Sequence, residues 1–200
     1  MKRVSILAAI AFGAVISCGP PPAPLSGKLW WSFACDTSIM GQTECGNAPS
    51  EAIEGSTRRT PAPALDVGCF IDRAGSNYNF RVRIEQDNGS LGIIGISGLC
   101  GTTSGSGMAS NSRVSLSFGA ARVSSASPGG AGTSGGCEVK VDTINDTSIS
   151  GQFRCTGVRD DSMNFRRVNG VAPPSMFATP DPAWARFEFA QCTTGAGACR

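Results

Sequence analysis

Cys137-Glu138-Val139-Lys140-Val141-Asp142-Thr143-Ile144-Asn145-Asp146-Thr147-Ser148-Ile149-Ser150-Gly151-Gln152-Phe153-Arg154-Cys155 is the stretch that decides the fold. Cys137, Val139 and Val141 alternate with Glu138, Lys140 and Asp142, and beyond the polar Asn145-Asp146 pair Ile149, Gly151, Phe153 and Cys155 alternate with Ser150, Gln152 and Arg154. A period of two means a strand with one apolar and one wet face, and two such runs about a turn mean an antiparallel hairpin. A turn centred near Asp146 sets Cys137 across from Cys155, both pointing the same way as Val139 and Phe153. A disulfide between them fits this register, and so does a bond from either cysteine to another strand.

The rest of the chain carries the same pattern. Phe80, Val82 and Ile84 alternate with Arg81, Arg83 and Glu85 and are followed by Asn88-Gly89, the favoured pair for a two-residue hairpin turn. A return strand from Leu91 to Ile96 then sets Ile84 opposite Ile93, and Ile94 and Ile96 demand a bulge or burial on both faces. Further strands are expected over 28–33, 65–71, 113–118, 165–168 and 184–192. Loops rich in Gly, Ser and Pro are expected over 46–63, 101–112, 124–136 and 169–182. The chain holds 26 Gly and 12 Pro, and no segment after residue 17 shows helical spacing of apolar residues. About eight short strands predict an all-β fold, an antiparallel sandwich or a small barrel.

The N-terminal end has a different character. Lys2 and Arg3 precede an uncharged apolar run from Val4 to Ile16, which reads as a secretory signal because a bilayer core needs about 20 apolar residues. Val15-Ile16-Ser17-Cys18 resembles the lipobox of bacterial lipoproteins, which implies cleavage before Cys18 and acylation of that cysteine. Gly19-Pro20-Pro21-Pro22-Ala23-Pro24 follows as a stiff spacer. The expected organisation is a signal peptide over 1–17, a lipid-anchored spacer over 18–27 and a single β domain over 28–200. Gly19 is not the aspartate that resembles an inner-membrane retention signal, so the expected location is the bacterial cell envelope, at the outer membrane or cell surface. The three acyl chains that this resemblance implies, each methylene contributing about 0.8 kcal/mol, would make such an anchor effectively permanent.

Cysteine parity supports this reading. Nine cysteines in an oxidising compartment leave one over, and lipidation of Cys18 accounts for it. Cys35, Cys45, Cys69, Cys100, Cys137, Cys155, Cys192 and Cys199 remain as disulfide candidates, with 105 possible pairings. Four bonds of about 2–4 kcal/mol each compensate for a modest core.

Function is addressed mainly by exclusion. The chain has no histidine, which removes Ser-His-Asp and Cys-His catalysis and most zinc sites. The cysteines lack metal-knuckle spacing, so no metal and no cofactor is expected. Gly132-Thr133-Ser134-Gly135-Gly136 has the spacing of a nucleophile elbow but reads as a loop. Asp160-Asp161-Ser162 with Asn164 fits no EF-hand and reads as a polar turn, while Glu51 and Glu54 read as solvated loop charges. Trp30, Trp31 and Phe33 could stack on a sugar ring if exposed, but alternation buries at least one of the tryptophans, so core packing is expected. Removal of Lys2 and Arg3 takes 17 basic residues against 15 acidic to 15 against 15, and the paired arginines, Arg58-Arg59 and Arg166-Arg167, read as solvated, so nucleic acid is not an expected partner.

Ile149, Ser150, Gly151, Phe153 and Gly157, with Phe187, Glu188, Phe189 and Cys192, resemble the C-terminal part of the mycobacterial 19 kDa lipoprotein antigens. That resemblance implies a surface lipoprotein and carries over no active-site residue; the Trp30-Trp31 start and the additional cysteines depart from it. The expected function is a non-catalytic binding or envelope-structural role, attached to the membrane through the lipid on Cys18, with neither a protein nor a glycan partner named by the residues. The alternatives are a small-barrel carrier of an apolar ligand and a hydrolase that uses paired carboxylates. Intact-mass analysis of the native protein should show a chain that begins at acylated Cys18 and gains one hydrogen for each of the eight other cysteines on reduction. An unacylated N-terminus elsewhere would overturn the anchor.

Overall fold

The computed structural model describes residues 23–35, 50–56, 65–87, 92–119, 121–124, 136–159, 165–169 and 184–195. Among these residues there are strands and connections but no helix. The strands are β1 (Ser26–Cys35), β2 (Ser50–Ser56), β3 (Leu65–Ala74), β4 (Asn77–Asp87), β5 (Ile93–Thr103), β6 (Gly107–Met108), β7 (Ser110–Gly119), β8 (Ala121–Ser124), β9 (Gly136–Asn145), β10 (Ser148–Arg159), β11 (Phe165–Asn169), β12 (Ala185–Ala190) and β13 (Thr193–Thr194). Their ladders form two sheets. Sheet A runs β2, β1, a slot shared by β11 and β12, β10, β9 and β6, and sheet B runs β13, β3, β4, β5, β7 and β8. Every pairing is antiparallel except the short parallel pair of β13 with β3. The all-β sandwich expected from the alternation is thus what the chain forms, with β1 starting at Ser26, slightly before the expected boundary.

The β9–β10 hairpin follows the sequence reading closely. Cys137 faces Cys155 and Val139 faces Phe153, and the two cysteines are disulfide-bonded. Asn145 Oδ1 accepts hydrogen bonds from the backbone N–H groups of Thr147 and Ser148, each 2.9 Å, which fixes the turn. The register slips by one between Ser150 and Gly151, so Asp142 is the extra residue of a bulge.

The β4–β5 pair forms as expected, but in another register. Ile84 faces Ile96 rather than Ile93, and Asp87 faces Ile93 across a connection of five residues, 88–92, so a two-residue Asn88-Gly89 turn is excluded. Positions 88–91 themselves lie outside the described residues. The five-residue connection sets this register, and a bulge lies further along, where Val82 faces Leu99 and Ile84 faces Ile96, leaving Ser97-Gly98 opposite Arg83. That bulge restores phase, so that Ile94, Ile96 and Leu99 all point inward while Ile93 is 47% exposed. Gly95 permits the path: its φ is 135°, and a Cβ there would collide with the Ile84 carbonyl oxygen.

Segments read as loops also pair. The stretch containing Glu51 and Glu54 is strand β2, in register with β1 from Ser26↔Ser56 to Ser32↔Ser50. Within 101–112, β5 continues to Thr103, β6 joins the edge of sheet A beside β9, and β7 begins at Ser110 in sheet B. The chain therefore changes sheets at Ala109, whose N–H donates to the Val139 carbonyl at 2.9 Å.

One slot of sheet A is built from two chain segments. β12 pairs with 26–30 of β1 and 148–153 of β10, while β11 pairs with 32–35 and with Cys155 to Arg159. Asn169 and Ala185 consequently occupy successive places in one row, and the chain leaves and rejoins it there.

A single apolar core lies between the sheets, formed by Leu29, Trp31, Phe153, Phe187 and Phe189 from sheet A and Val67, Phe80, Ile84, Ile96 and Leu116 from sheet B, among others. Phe187 stands 6.4 Å from Phe153 and 6.3 Å from Phe189, centroid to centroid, in tilted geometry. Gly151 faces inward beneath this cluster, where a Cβ would lie 2.8 Å from Phe187 Cζ and would meet the Lys140 carbonyl oxygen. Gly151→Ala should therefore lower stability by about 1–3 kcal/mol in urea unfolding. Gly98→Ala, where a Cβ meets nothing within 4 Å, should stay within about 0.5 kcal/mol of wild type.

Candidate functional site

The outer faces of the two sheets differ in how their charges are satisfied. On sheet A, Arg154 Nε donates to Glu138 Oε2 at 2.5 Å, and its guanidinium stacks 4.6 Å from the Trp184 ring centroid. Gln152 Nε2 reaches both Asp142 oxygens at 3.2 and 3.3 Å, Thr143 and Ser150 hydroxyls meet at 2.8 Å, and Lys28 Nζ lies 5.8 Å from the Trp30 ring centroid. A shallow depression of about 340 Å³ runs past Ser26, Lys28, Thr143, Ser150 and Glu188. Of its lining groups, the Thr143 and Ser150 hydroxyls bond each other.

Sheet B carries a larger dish of about 400 Å³, lined by Gly68, Phe70, Arg81, Val82, Arg83, Ser97 and Gly195. The ladder explains its shape. Gly68 sits directly across from Arg83 and Phe70 directly across from Arg81, so the missing side chain at Gly68 leaves a hollow between Phe70 and the stem of Arg83. Ser97 enters from the far side because the Ser97-Gly98 bulge turns it onto this face. Phe70 is an apolar residue at an outward position and is 44% exposed. Gly195 flanks it, since a Cβ there would stand 3.1 Å from Phe70 Cδ1.

The two arginines of the dish are not equivalent. Arg83 Nη2 contacts the Asp66 oxygens at 2.8 and 2.9 Å, which neutralises it and holds it to the rim. Arg81 is exposed and has no carboxylate, ring or hydrogen-bond partner among the described residues. The neighbouring Glu85 is occupied, its Oε1 accepting a 2.7 Å hydrogen bond from the Ser117 hydroxyl. The arrangement presents a positive charge, an aromatic surface and a hydroxyl around one open hollow.

Of the residues singled out in the sequence, Cys69 and Cys192 form a disulfide with Cα atoms 4.8 Å apart, Cys137 and Cys155 form another, and Cys100 is disulfide-bonded as well. Cys18, Cys45 and Cys199 lie outside the described residues, as do Arg58-Arg59, positions 132–135 and Asp160-Asp161, and of Cys35 only the backbone is described. Trp30 and Trp31 are 3% and 1% exposed, so neither ring is open to a sugar; among the described residues Phe70 is the exposed aromatic ring. Among the described residues no group of three or more acidic or cysteine side chains could hold a metal ion. Asp66, Glu85, Glu138 and Asp142 each engage a different partner.

Neither Gly68 nor Phe70 stood out in the sequence, although a signal was present: with Val67, Cys69 and Ile71 pointing inward, Phe70 is a large apolar residue in the polar phase of β3. Comparison of this chain with protein-family models, with curated proteins and with solved structures gave no match. If Phe70 serves the surface rather than the fold, Phe70→Ala should alter unfolding free energy by less than about 1 kcal/mol, while Phe80→Ala, in the core, should cost about 3–5 kcal/mol. Urea titration of both variants measures the contrast.

Proposed function

We propose that this chain is a lipid-anchored extracytoplasmic lipoprotein of the bacterial envelope that acts without catalysis, as a binding module presenting the outer face of sheet B. The observation that carries the reading is the state of the cysteines. Every cysteine side chain that the structure describes, at 69, 100, 137, 155 and 192, is disulfide-bonded. Such bonds persist in oxidising compartments, and in an exported chain with nine cysteines the one placed in Val15-Ile16-Ser17-Cys18 is the natural odd member. The Pro-rich stretch after Cys18 supplies distance between bilayer and sandwich.

The structural basis for binding rather than carriage is where the open space lies. The interval between the sheets is filled by Trp31, Phe80, Phe153 and Phe187, each less than 2% exposed, and by their neighbours, whereas the described hollows open on the outer faces. A tethered sandwich with a rigid, disulfide-held face suits recognition of something at the cell surface.

Cys18→Ser tests the anchor. The wild-type protein should enter the detergent phase on partitioning of membranes, and the variant should move to the aqueous phase or remain as an uncleaved precursor. Entry of both proteins into the detergent phase at the same processed size would sink the proposal.

A further inference from the structure

We infer that the dish on sheet B binds a sugar ring carrying a carboxylate, with Arg81 as the charge partner and Phe70 as the stacking surface. This deepens the binding-module reading and rests on it for biological sense, although the site itself is independent of how the chain is anchored.

Arg81 stands apart from the other described arginine side chains, which are engaged. Arg73 lies 5.5 Å from the Tyr78 ring centroid, Arg83 holds Asp66, Arg154 holds Glu138 and Trp184, and Arg113 and Arg186 have contacts of their own. Arg81 alone projects into a hollow without such a partner among the described residues. Its guanidinium is a planar fork of donors that matches a carboxylate in two places. An anion in the dish is therefore favoured by charge, and the neutralised Arg83–Asp66 pair beside it adds no repulsion.

Phe70 narrows the class. A bare phosphate or sulfate would use Arg81 and leave the ring idle, and a wholly apolar ligand would cover Arg81 without satisfying it. A ring bearing an acid group uses both, laying its C–H face on Phe70 while the carboxylate meets Arg81. The dish is broad and open to water along its outer side, which suits a ligand whose exposed edge is hydroxylated; a flat aromatic acid would leave apolar surface wet. Ser97 offers one more hydroxyl to such a ligand. The volume of about 400 Å³ lies at the small end of ligand sites, the scale of one or two sugar rings.

Gly68 makes the site testable without disturbing the fold. A Cβ at that position would come no closer than 3.7 Å to Arg83 Cβ and 3.9 Å to Phe70 Cε2, so a side chain fits the strand and fills the hollow. The experiment is ligand-observed NMR on the purified mature protein, titrated with methyl β-D-glucuronide, and in parallel with methyl β-D-glucoside, benzoate and inorganic phosphate. Saturable glucuronide binding is expected, about tenfold or more weakened by Arg81→Gln and by removal of the carboxylate in the glucoside. Gly68→Val should abolish it while leaving the melting temperature equal to or above that of wild type. The inference is overturned if glucuronide does not saturate, if Gly68→Val binds it unchanged, or if benzoate or phosphate binds as tightly. None of these outcomes bears on the Cys18 anchor, which partitioning reads separately.

Discussion

One covalent bond governs how the two sheets relate. The chain finishes β12 in sheet A at Ala190, turns through Gln191 at φ 60°, and at Cys192 is bonded to Cys69 in the middle of β3 in sheet B. The crossing is secured on both sides: Cys192 N–H donates to the Thr147 carbonyl of the β9–β10 turn at 2.9 Å, and the Thr193 hydroxyl donates to the Cys69 carbonyl at 3.3 Å. The bond spans 123 residues of sequence. In the chain-entropy account, closing a loop of that size disfavours the unfolded state by roughly 5 kcal/mol. It also seats β13 against β3, which brings Gly195 beside Phe70, so the same bond builds one wall of the dish.

The edges of the sandwich are managed by brevity and charge. β6 and β13 are two residues long and β8 is four, so each offers little edge of its own to another chain. The longer edge strand, β2, carries Glu51 and Glu54 in a seven-residue stretch. Such protection is written into strands with almost no apolar signal.

Strength of apolar signal separates what could be read in the sequence from what could not. The β9–β10 hairpin was legible down to the register that sets Cys137 across from Cys155, because alternation, turn residues and cysteines lie within one short stretch and agree; that the two are bonded to each other was one of the pairings left open. β2 was not, because Ser50–Ser56 has only Ala52 and Ile53 as apolar residues and pairs on an edge, where no second face must be buried. The β4–β5 register was missed for a different reason: it was counted from a two-residue Asn88-Gly89 turn, whereas Asp87 faces Ile93 across five residues. Gly68 was hidden as well: it fell inside the expected strand over 65–71, but the hollow it leaves depends on Arg83 across the ladder, which no local pattern gives. Phe70 could have been flagged by phase alone, but that it faces Arg81 is a long-range fact of the ladder.

The slot shared by β11 and β12 has a bearing on how this molecule can change over generations. Because Asn169 and Ala185 are successive in the row and flanked on both sides by β1 and β10, hydrogen bonding across the sheet is indifferent to how much chain is spliced between them. The entropic penalty for a longer insert rises only logarithmically. Selection can thus lengthen, shorten or rewrite the chain between Asn169 and Ala185 while the rows on either side keep their register, much as a socket accepts different fittings.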